Sequence, residues 1–531
     1  MAKGIPTTPY SSGTMPARDS APPKVSWKQY IADFVKAPSR AKAALVGSLL
    51  LVAMGPAGLS ALTPFVVPAF AMKTGTPLPE AMLMFVALPL IIGPLVLPFA
   101  GQWVDRLGAR RVALPGIVLY ALVTAIIPLA AGKLWLMGIL LVLASIFGFG
   151  SSLGIAFKVI SEWFPKHRGV GFGLIGVASS LFSAIFSPLF QWLVNGNAPV
   201  SLPMMPGMST EAPSKSAAVV AAIDPGIYAG LGWNGAYYVI AIAIAVIGIP
   251  AAFWLISEPK VSTTAEVPKT VDVNLPGVPF KEAIPTRAWI SITLFIAFAA
   301  AGPIAMRQNA VDFYGQTGID PATVSLALSL CFSTSVIGLL AAGAVLDRAN
   351  HPWVVAVLLA TVPIGLALAL VNSGNPALLY LSMALLGFAT GAESTLGPTL
   401  IARYFGLKSF AALQGLSLAI TSPALALAPF LVSVVKISSG SYVGPLLMLT
   451  GIALVAVILA AMLPKYPKPW VLHQSSADTV PRPVNSGDLI TPVHRSKRRL
   501  QPSLEKSMHK QKMSARKHER SECISALAFL V

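Results

Sequence analysis

Twelve apolar runs of about twenty residues each, centred near residues 57, 91, 121, 146, 182, 245, 299, 333, 361, 387, 421 and 453, dominate this sequence. Each is long enough to cross a bilayer as a helix. Inside lipid the backbone must satisfy its own hydrogen bonds, so runs of this kind have few alternatives to helix. Composition agrees. The chain is 55% apolar and only 11% charged, with a mean hydropathy of +0.73, whereas soluble domains carry roughly 25% charged residues. The expected class is an all-α membrane protein with twelve transmembrane helices.

Lysine and arginine beside spans are retained on the cytoplasmic side. With the N-terminus inside, the inward loops carry Arg106, Arg110 and Arg111; Lys158, Lys166 and Arg168; Lys260, Lys269, Lys281 and Arg287; Arg348; and Arg403 with Lys408. The outward loops and helix ends carry only Lys73, Lys133, Lys215, Arg307 and Lys436. The bias survives through the whole chain, so an even span count is expected, with both termini cytoplasmic in the cell (inner) membrane. The N-terminal tail has no short apolar core followed by small residues, so it does not read as a cleaved signal. The formal net charge of +18 is concentrated in the two tails, where attraction to anionic lipid explains it without a nucleic-acid partner. Cys331 and Cys523 suggest neither a disulfide framework nor a thiolate metal site.

An internal repeat divides the chain. GQWVDR at 101–106 is echoed by GAVLDR at 343–348, each at the inward end of the second span of a six-span half. Phe164 follows Asp105 by 59 residues and Phe405 follows Asp347 by 58. The expected organisation is a tail over 1–42, a first six-helix bundle over 43–256, a cytoplasmic linker over 257–287, a second bundle over 288–465, and a basic, disordered tail over 466–531.

Gly101, Asp105, Arg106, Gly108, Arg110 and Arg111 resemble the loop signature between spans two and three of the major facilitator superfamily, and Gly343, Asp347 and Arg348 stand where that family has a degenerate second copy. The resemblance covers about residues 40–465. It implies two six-helix bundles rocking around a central site. The chain departs from the pattern at Ala109, where a basic residue is usual, and at Asn350, in place of the second glycine. EWFPKHRGVGFGL at 162–174 and GFATGAESTLGPTLIARYFG at 387–406 are similar to the monocarboxylate and oxalate/formate antiporter branch, which implies a small organic anion as substrate: a mono- or dicarboxylate, aromatic acids included. Taken singly, Gly169, Gly173, Gly387 and Gly391 read better as sites of close helix packing.

Asp105 and Arg106, with Gly101, Gly108, Arg110, Asp347 and Arg348, are expected to gate. Carboxylates and arginines at helix ends form charge-assisted bonds when the cytoplasmic face is shut, and these must break when it opens. Simple retention of positive charge explains Arg110 and Arg111 as well. Ionisable residues within spans are costly and normally face a cavity. Glu393, midway along the tenth span, is the candidate for proton coupling, with a packing role as the alternative. Arg307 in the seventh span could hold a carboxylate bidentately or snorkel to the outer interface with Asp312 as partner. Gln308 and Asn309 would complete the substrate site; Ser151, Ser152 and Ser333 to Ser335 could contribute, although such hydroxyls more often bond their own helix. Pro56, Pro64, Pro89, Pro94 and Pro423 should bend or break their spans.

No enzyme is expected. All six histidines lie in loops or tails, and no phosphate-cradling Gly-x-x-x-x-Gly-Lys-Ser/Thr loop occurs. No cofactor or metal is called for, and protons, lipid and the substrate are the expected partners of a monomer. An exporter of amphipathic compounds on the same fold is the alternative reading.

Overall fold

The structure, a computed structural model, describes residues 36–164, 168–196, 230–258, 277–349, 351–406 and 408–467. The long outer loop, most of the linker and most of both tails, including the basic C-terminal segment, lie outside the described residues; the first span begins at Ser39, inside the stretch assigned to the N-terminal tail.

Among the described residues eleven helices are long and apolar enough to cross a membrane, from Leu78–Val104 to Val443–Ala461. The first span is a twelfth, broken into Ser39–Ala53, Pro56–Leu59 and Thr63–Thr74. Pro56 and Pro64 sit at the starts of the second and third pieces, where a missing N–H is tolerated but the preceding helix cannot continue. The break is also a crossing point with the fourth span. A Cβ on Gly55 would lie 2.5 Å from Ser152 Oγ, and one on Gly148 would lie 2.6 Å from Pro56 Cγ. The second span is continuous but irregular, with a π turn over Leu83–Ala87 and a 3-10 turn over Gly93–Val96, next to Pro89 and Pro94. Ser145 of the fourth span donates to the Pro89 carbonyl at 2.6 Å.

The spans form two six-helix halves. Within the second, the eighth and tenth spans pack most intimately: a Cβ on Gly387 or Gly391 would fall 2.0 Å from the Cys331 oxygen or 1.7 Å from the Ser335 oxygen. Both glycines therefore serve helix packing. The connection before the seventh span is more ordered than a simple linker, since Val278 N–H donates to the Phe405 carbonyl at 2.8 Å and Phe280–Ala283 forms a helical turn.

The halves meet along the fifth and eighth spans, with Ser187 Oγ donating to the Ser325 carbonyl at 3.2 Å. They also meet where Thr63–Thr74 packs on the seventh span and where Leu78–Ile92 packs on the eleventh. These last two contacts lie at the membrane face away from the Gly101–Arg111 loop, here called the distal face; the face bearing that loop is the motif face.

Candidate substrate cavity

The break in the first span borders a cavity of about 390 Å³, walled by the first, second, third, fourth and sixth spans and covered by Ile304, Arg307 and Gln308 of the seventh. Its wall is mostly apolar: Leu59, Phe85, Val86, Leu90, Ile127, Leu141 and Phe149 contribute. Polar groups enter at Ser60, Thr63, Tyr120, Thr124, Ser145 and Tyr237. Several of these are already occupied. Ser60 bonds the Ala57 carbonyl, Thr124 the Tyr120 carbonyl, and Ser145 the Pro89 carbonyl.

Among the described residues, Arg307 is the one charged group in this wall. Its Nε is buried and has no hydrogen-bond partner, and its guanidinium carbon lies 5.1 Å from the centre of the Phe332 ring. Asp312 does not serve it. That carboxylate is engaged by Lys436 Nζ at 3.2 Å, by Gln316 Nε2 at 3.2 Å and by the Tyr442 hydroxyl. Lys436 and Asp312 thus form a clamp joining the seventh and eleventh spans near the distal face, with side chains 22% and 21% exposed. The snorkelling pair Arg307–Asp312 expected as an alternative is replaced by Asp312–Lys436, because Lys436 on the neighbouring span reaches the carboxylate directly.

The residues beside Arg307 take different roles. Gln308 lines the cavity, and its Oε1 accepts from Thr63 Oγ1, a side-chain bond that crosses from one half to the other. Asn309 points away from the cavity. It is fully buried, donates to the carbonyls of Ala305 at 2.9 Å and Pro429 at 3.3 Å, and accepts from Ser433 at 3.1 Å. Its amide is consumed in packing the seventh span on the eleventh. Ser151, Ser152, Ser333, Thr334 and Ser335 all donate to carbonyls of their own helices.

Glu393 is half-buried in Pro376–Phe405 and does not line the cavity. Counting from the distal ends of their helices at 1.5 Å per residue, it lies about 12 Å nearer the motif face than Arg307. One turn further, a Cβ on Gly397 would meet Ile296 at 2.9 Å and Gln414 Nε2 at 3.9 Å, so this part of the tenth span faces the seventh and eleventh.

At the motif face, Gly108 turns the chain with φ +91, a left-handed conformation that glycine adopts without strain. The Glu258 carboxylate, just past the sixth span, accepts from the Ala109 N–H and so caps the third span. Arg110 lies over the Phe253 ring at 4.3 Å. Arg106 is exposed, and Arg348 donates to the Ala344 carbonyl at 3.5 Å. Gly101 has open space around its Cα, and Gly343 faces Thr395. The side chains of Asp105 and Asp347 lie outside the described residues, as do Lys166 and His167. What sequence reasoning missed is the aromatic part of the wall, Tyr120 and Tyr237: a hydroxyl inside a span is the same kind of signal, a polar group in lipid, that singled out Arg307.

Two helical halves, with a cavity in the first half closed over by a cationic residue of the second, define a multi-pass membrane transporter. The comparisons narrow this further. The sequence profile of the Major Facilitator Superfamily matches residues 48–205 and 290–504, and the chain belongs to that superfamily. No curated protein sequence matches it. Among solved structures it is similar to a bacterial homologue of the human lysosomal transporter Spinster in an inward-facing, unoccupied conformation, with a TM-score of 0.57 and 14% identity over 80% of this chain and 96% of that one. It is also similar to the nucleoside transporter NupG, with a TM-score of 0.58 and 14% identity over 79% of this chain and all (100%) of that one. Identities this low show the shared fold.

Proposed function

We propose that this protein is a secondary active transporter that carries a small organic anion, a mono- or dicarboxylate with aromatic acids included, across the cytoplasmic membrane by alternating access. The observation that carries the reading is Arg307: a cation in the wall of an apolar cavity, with a buried Nε that no group among the described residues accepts from. An unpaired buried charge is costly, and a carboxylate entering the cavity supplies the missing counter-charge and a matching planar fork. The apolar remainder of the wall suits the hydrocarbon body of such an acid.

Glu393 is the residue we assign to proton coupling, and exchange driven by substrate gradients needs no such group. Both termini are cytoplasmic in this reading, which makes the motif face the inner one and Asp105, Arg106 and Arg348 components of the inner gate. The apolar lining favours a second reading, an exporter of amphipathic compounds, which requires Arg307 to be dispensable. Counterflow in proteoliposomes with labelled mono- and dicarboxylates, with and without a pH gradient, separates the two. Saturable carboxylate exchange supports the anion carrier; silence across the panel with folded protein sinks it.

A further inference from the structure

A second cavity lies on the outside of the first half, in a groove of about 330 Å³ between the second, third and fourth spans. Small residues shape it: Ala100 and Gly150 form its floor, and Gly116 lets the third span approach the fourth, where a Cβ would lie 2.8 Å from Ser151 Cβ. Its rim is apolar and open, with Trp103 52% and Leu107 54% exposed. Along the second span the groove runs from Val96 to Leu107, about 16 Å at 1.5 Å per residue. That is about half of the ~30 Å hydrocarbon core, the depth of one leaflet.

One end of the groove is charged. Arg111 lines it at the motif face, exposed and without a hydrogen bond or ion pair among the described residues. The neighbouring Arg110 is held over Phe253, and the Glu258 carboxylate is turned to the Ala109 N–H. The groove thus offers one leaflet's length of apolar surface ending at a guanidinium that no described residue pairs.

We propose that this groove is a binding site for an anionic phospholipid, one acyl chain lying along the second span between Val96 and Leu107 and the headgroup phosphate on Arg111. Trp103 stands at the groove's interfacial end, where tryptophan anchors at the headgroup level. The occupant is an anionic lipid rather than any lipid, because the charged side chain lining the groove, Arg111, is positive and has no ion pair among the described residues. This assignment is independent of what the transporter carries.

Trp103 also reports on the site. The full-length protein is reconstituted in phosphatidylcholine nanodiscs containing increasing fractions of phosphatidylglycerol or phosphatidylcholine with brominated acyl chains. The emission of Trp103 is isolated by subtracting Trp103→Phe protein. Phosphatidylglycerol should half-quench it at a mole fraction about fivefold lower than phosphatidylcholine, the ratio given by about 1 kcal/mol per cation at an anionic surface. Arg111→Gln should remove that preference. Gly150→Leu should reduce quenching by both lipids, since a Cβ there meets nothing nearer than Val96 Cγ1 at 3.6 Å and the side chain grows into the groove. Equal quenching by the two lipids in the wild type means annular lipid only and overturns the proposal, as does a preference unchanged in Arg111→Gln. If Arg111→Gln does not insert, the Gly150→Leu result decides: undiminished quenching overturns the site.

Discussion

Replacing Arg307 by methionine is the most direct perturbation of the anion site, because it preserves the long apolar stem and removes only the charged fork. A hydrogen bond to a charged group contributes about 1.5–3 kcal/mol. Losing the guanidinium's contact with a substrate carboxylate should therefore weaken apparent affinity about 10- to 150-fold at 1.4 kcal/mol per decade. Folding should respond in the opposite sense. The Arg307 Nε has no acceptor among the described residues and the adjacent carboxylate, Asp312, is held by Lys436, so methionine breaks no ion pair, gives up only the contact with the Phe332 ring, and removes a costly buried charge. The thermal midpoint in detergent should stay level or rise. Arg307→Lys keeps the charge without the planar fork and should fall between the two. The assay is concentration-dependent counterflow in proteoliposomes matched for protein content, paired with melting curves of the same preparations. An apparent affinity within about twofold of wild type for Arg307→Met, in protein that melts normally, would refute the reasoning and return the cavity to an amphipathic substrate.

Four further outcomes are expected. Glu393→Gln should flatten the pH dependence of uptake while leaving substrate exchange intact, and an unaltered pH profile would assign Glu393 to packing. In a double-mutant cycle of Asp312→Asn and Lys436→Gln, each single change should destabilise more than half of what the double change does, because each leaves a partly buried partner unpaired; strict additivity in thermal unfolding would dissolve the clamp. Thr63→Val and Gln308→Leu each remove a bond between the halves worth about 0.5–1.5 kcal/mol. Either should raise the population open at the distal face about two- to tenfold, read from spin-label distances between exposed positions Met72 and Val443, and an unshifted distribution would discount the latch. Asp320 caps the eighth span by accepting from the Thr323 N–H at 2.8 Å and the Thr323 hydroxyl at 2.7 Å. Partial burial pushes its carboxyl up, but those hydrogen bonds outweigh burial and hold it below the usual range. Its stabilisation is therefore present above the unfolded value of about 3.9 and lost as pH falls through the lower folded value, so Asp320→Ala should cost about 1 kcal/mol at pH 7 and nothing at acid pH where the carboxyl is protonated.

The membrane fold was legible because its signal is additive: each span is an uninterrupted apolar run, and twelve of them with a repeated loop leave few topologies. The first span's break was legible in kind, from Pro56 and Pro64, but not in consequence, since only packing shows that the gap borders a cavity. Arg307, Gln308 and Asn309 show where sequence reasoning stops. Three consecutive polar residues on a helix point about 100° apart, so one span cannot aim all three into one space. The chain divides them: Arg307 to the cavity, Gln308 to both cavity and Thr63, Asn309 to the eleventh span. Asp312 and Lys436 were both visible as charges near span ends, yet their pairing depends on the register of two helices 124 residues apart. The packing role of Gly387 and Gly391 followed from small residues at helical spacing.

Arg307 and Glu393 stand at different depths, and this bears on how an anion and a proton can be coupled. At about 12 Å along the helix axes they are too far apart for a carboxylate on Arg307 to take the proton of Glu393 directly. Coupling then has to run through the conformational equilibrium that both sites bias. The seventh span is the element suited to it. It carries Arg307 at the cavity and Gln308 at the bond to the first half, it is tied to the eleventh span by Asn309 and Asp312, and its motif-side half faces Gly397, one turn from Glu393. An anion drawing on Arg307 acts one residue from the Thr63–Gln308 bond, whereas a charge change at Glu393 acts where the seventh, tenth and eleventh spans converge. A transporter built this way can lose its response to pH without losing affinity for its anion, and can lose affinity without losing its response to pH. A variant at either residue that abolished both together would therefore act on the shared conformational equilibrium rather than on its own site alone, and spin-label distances across the distal face would show the shift.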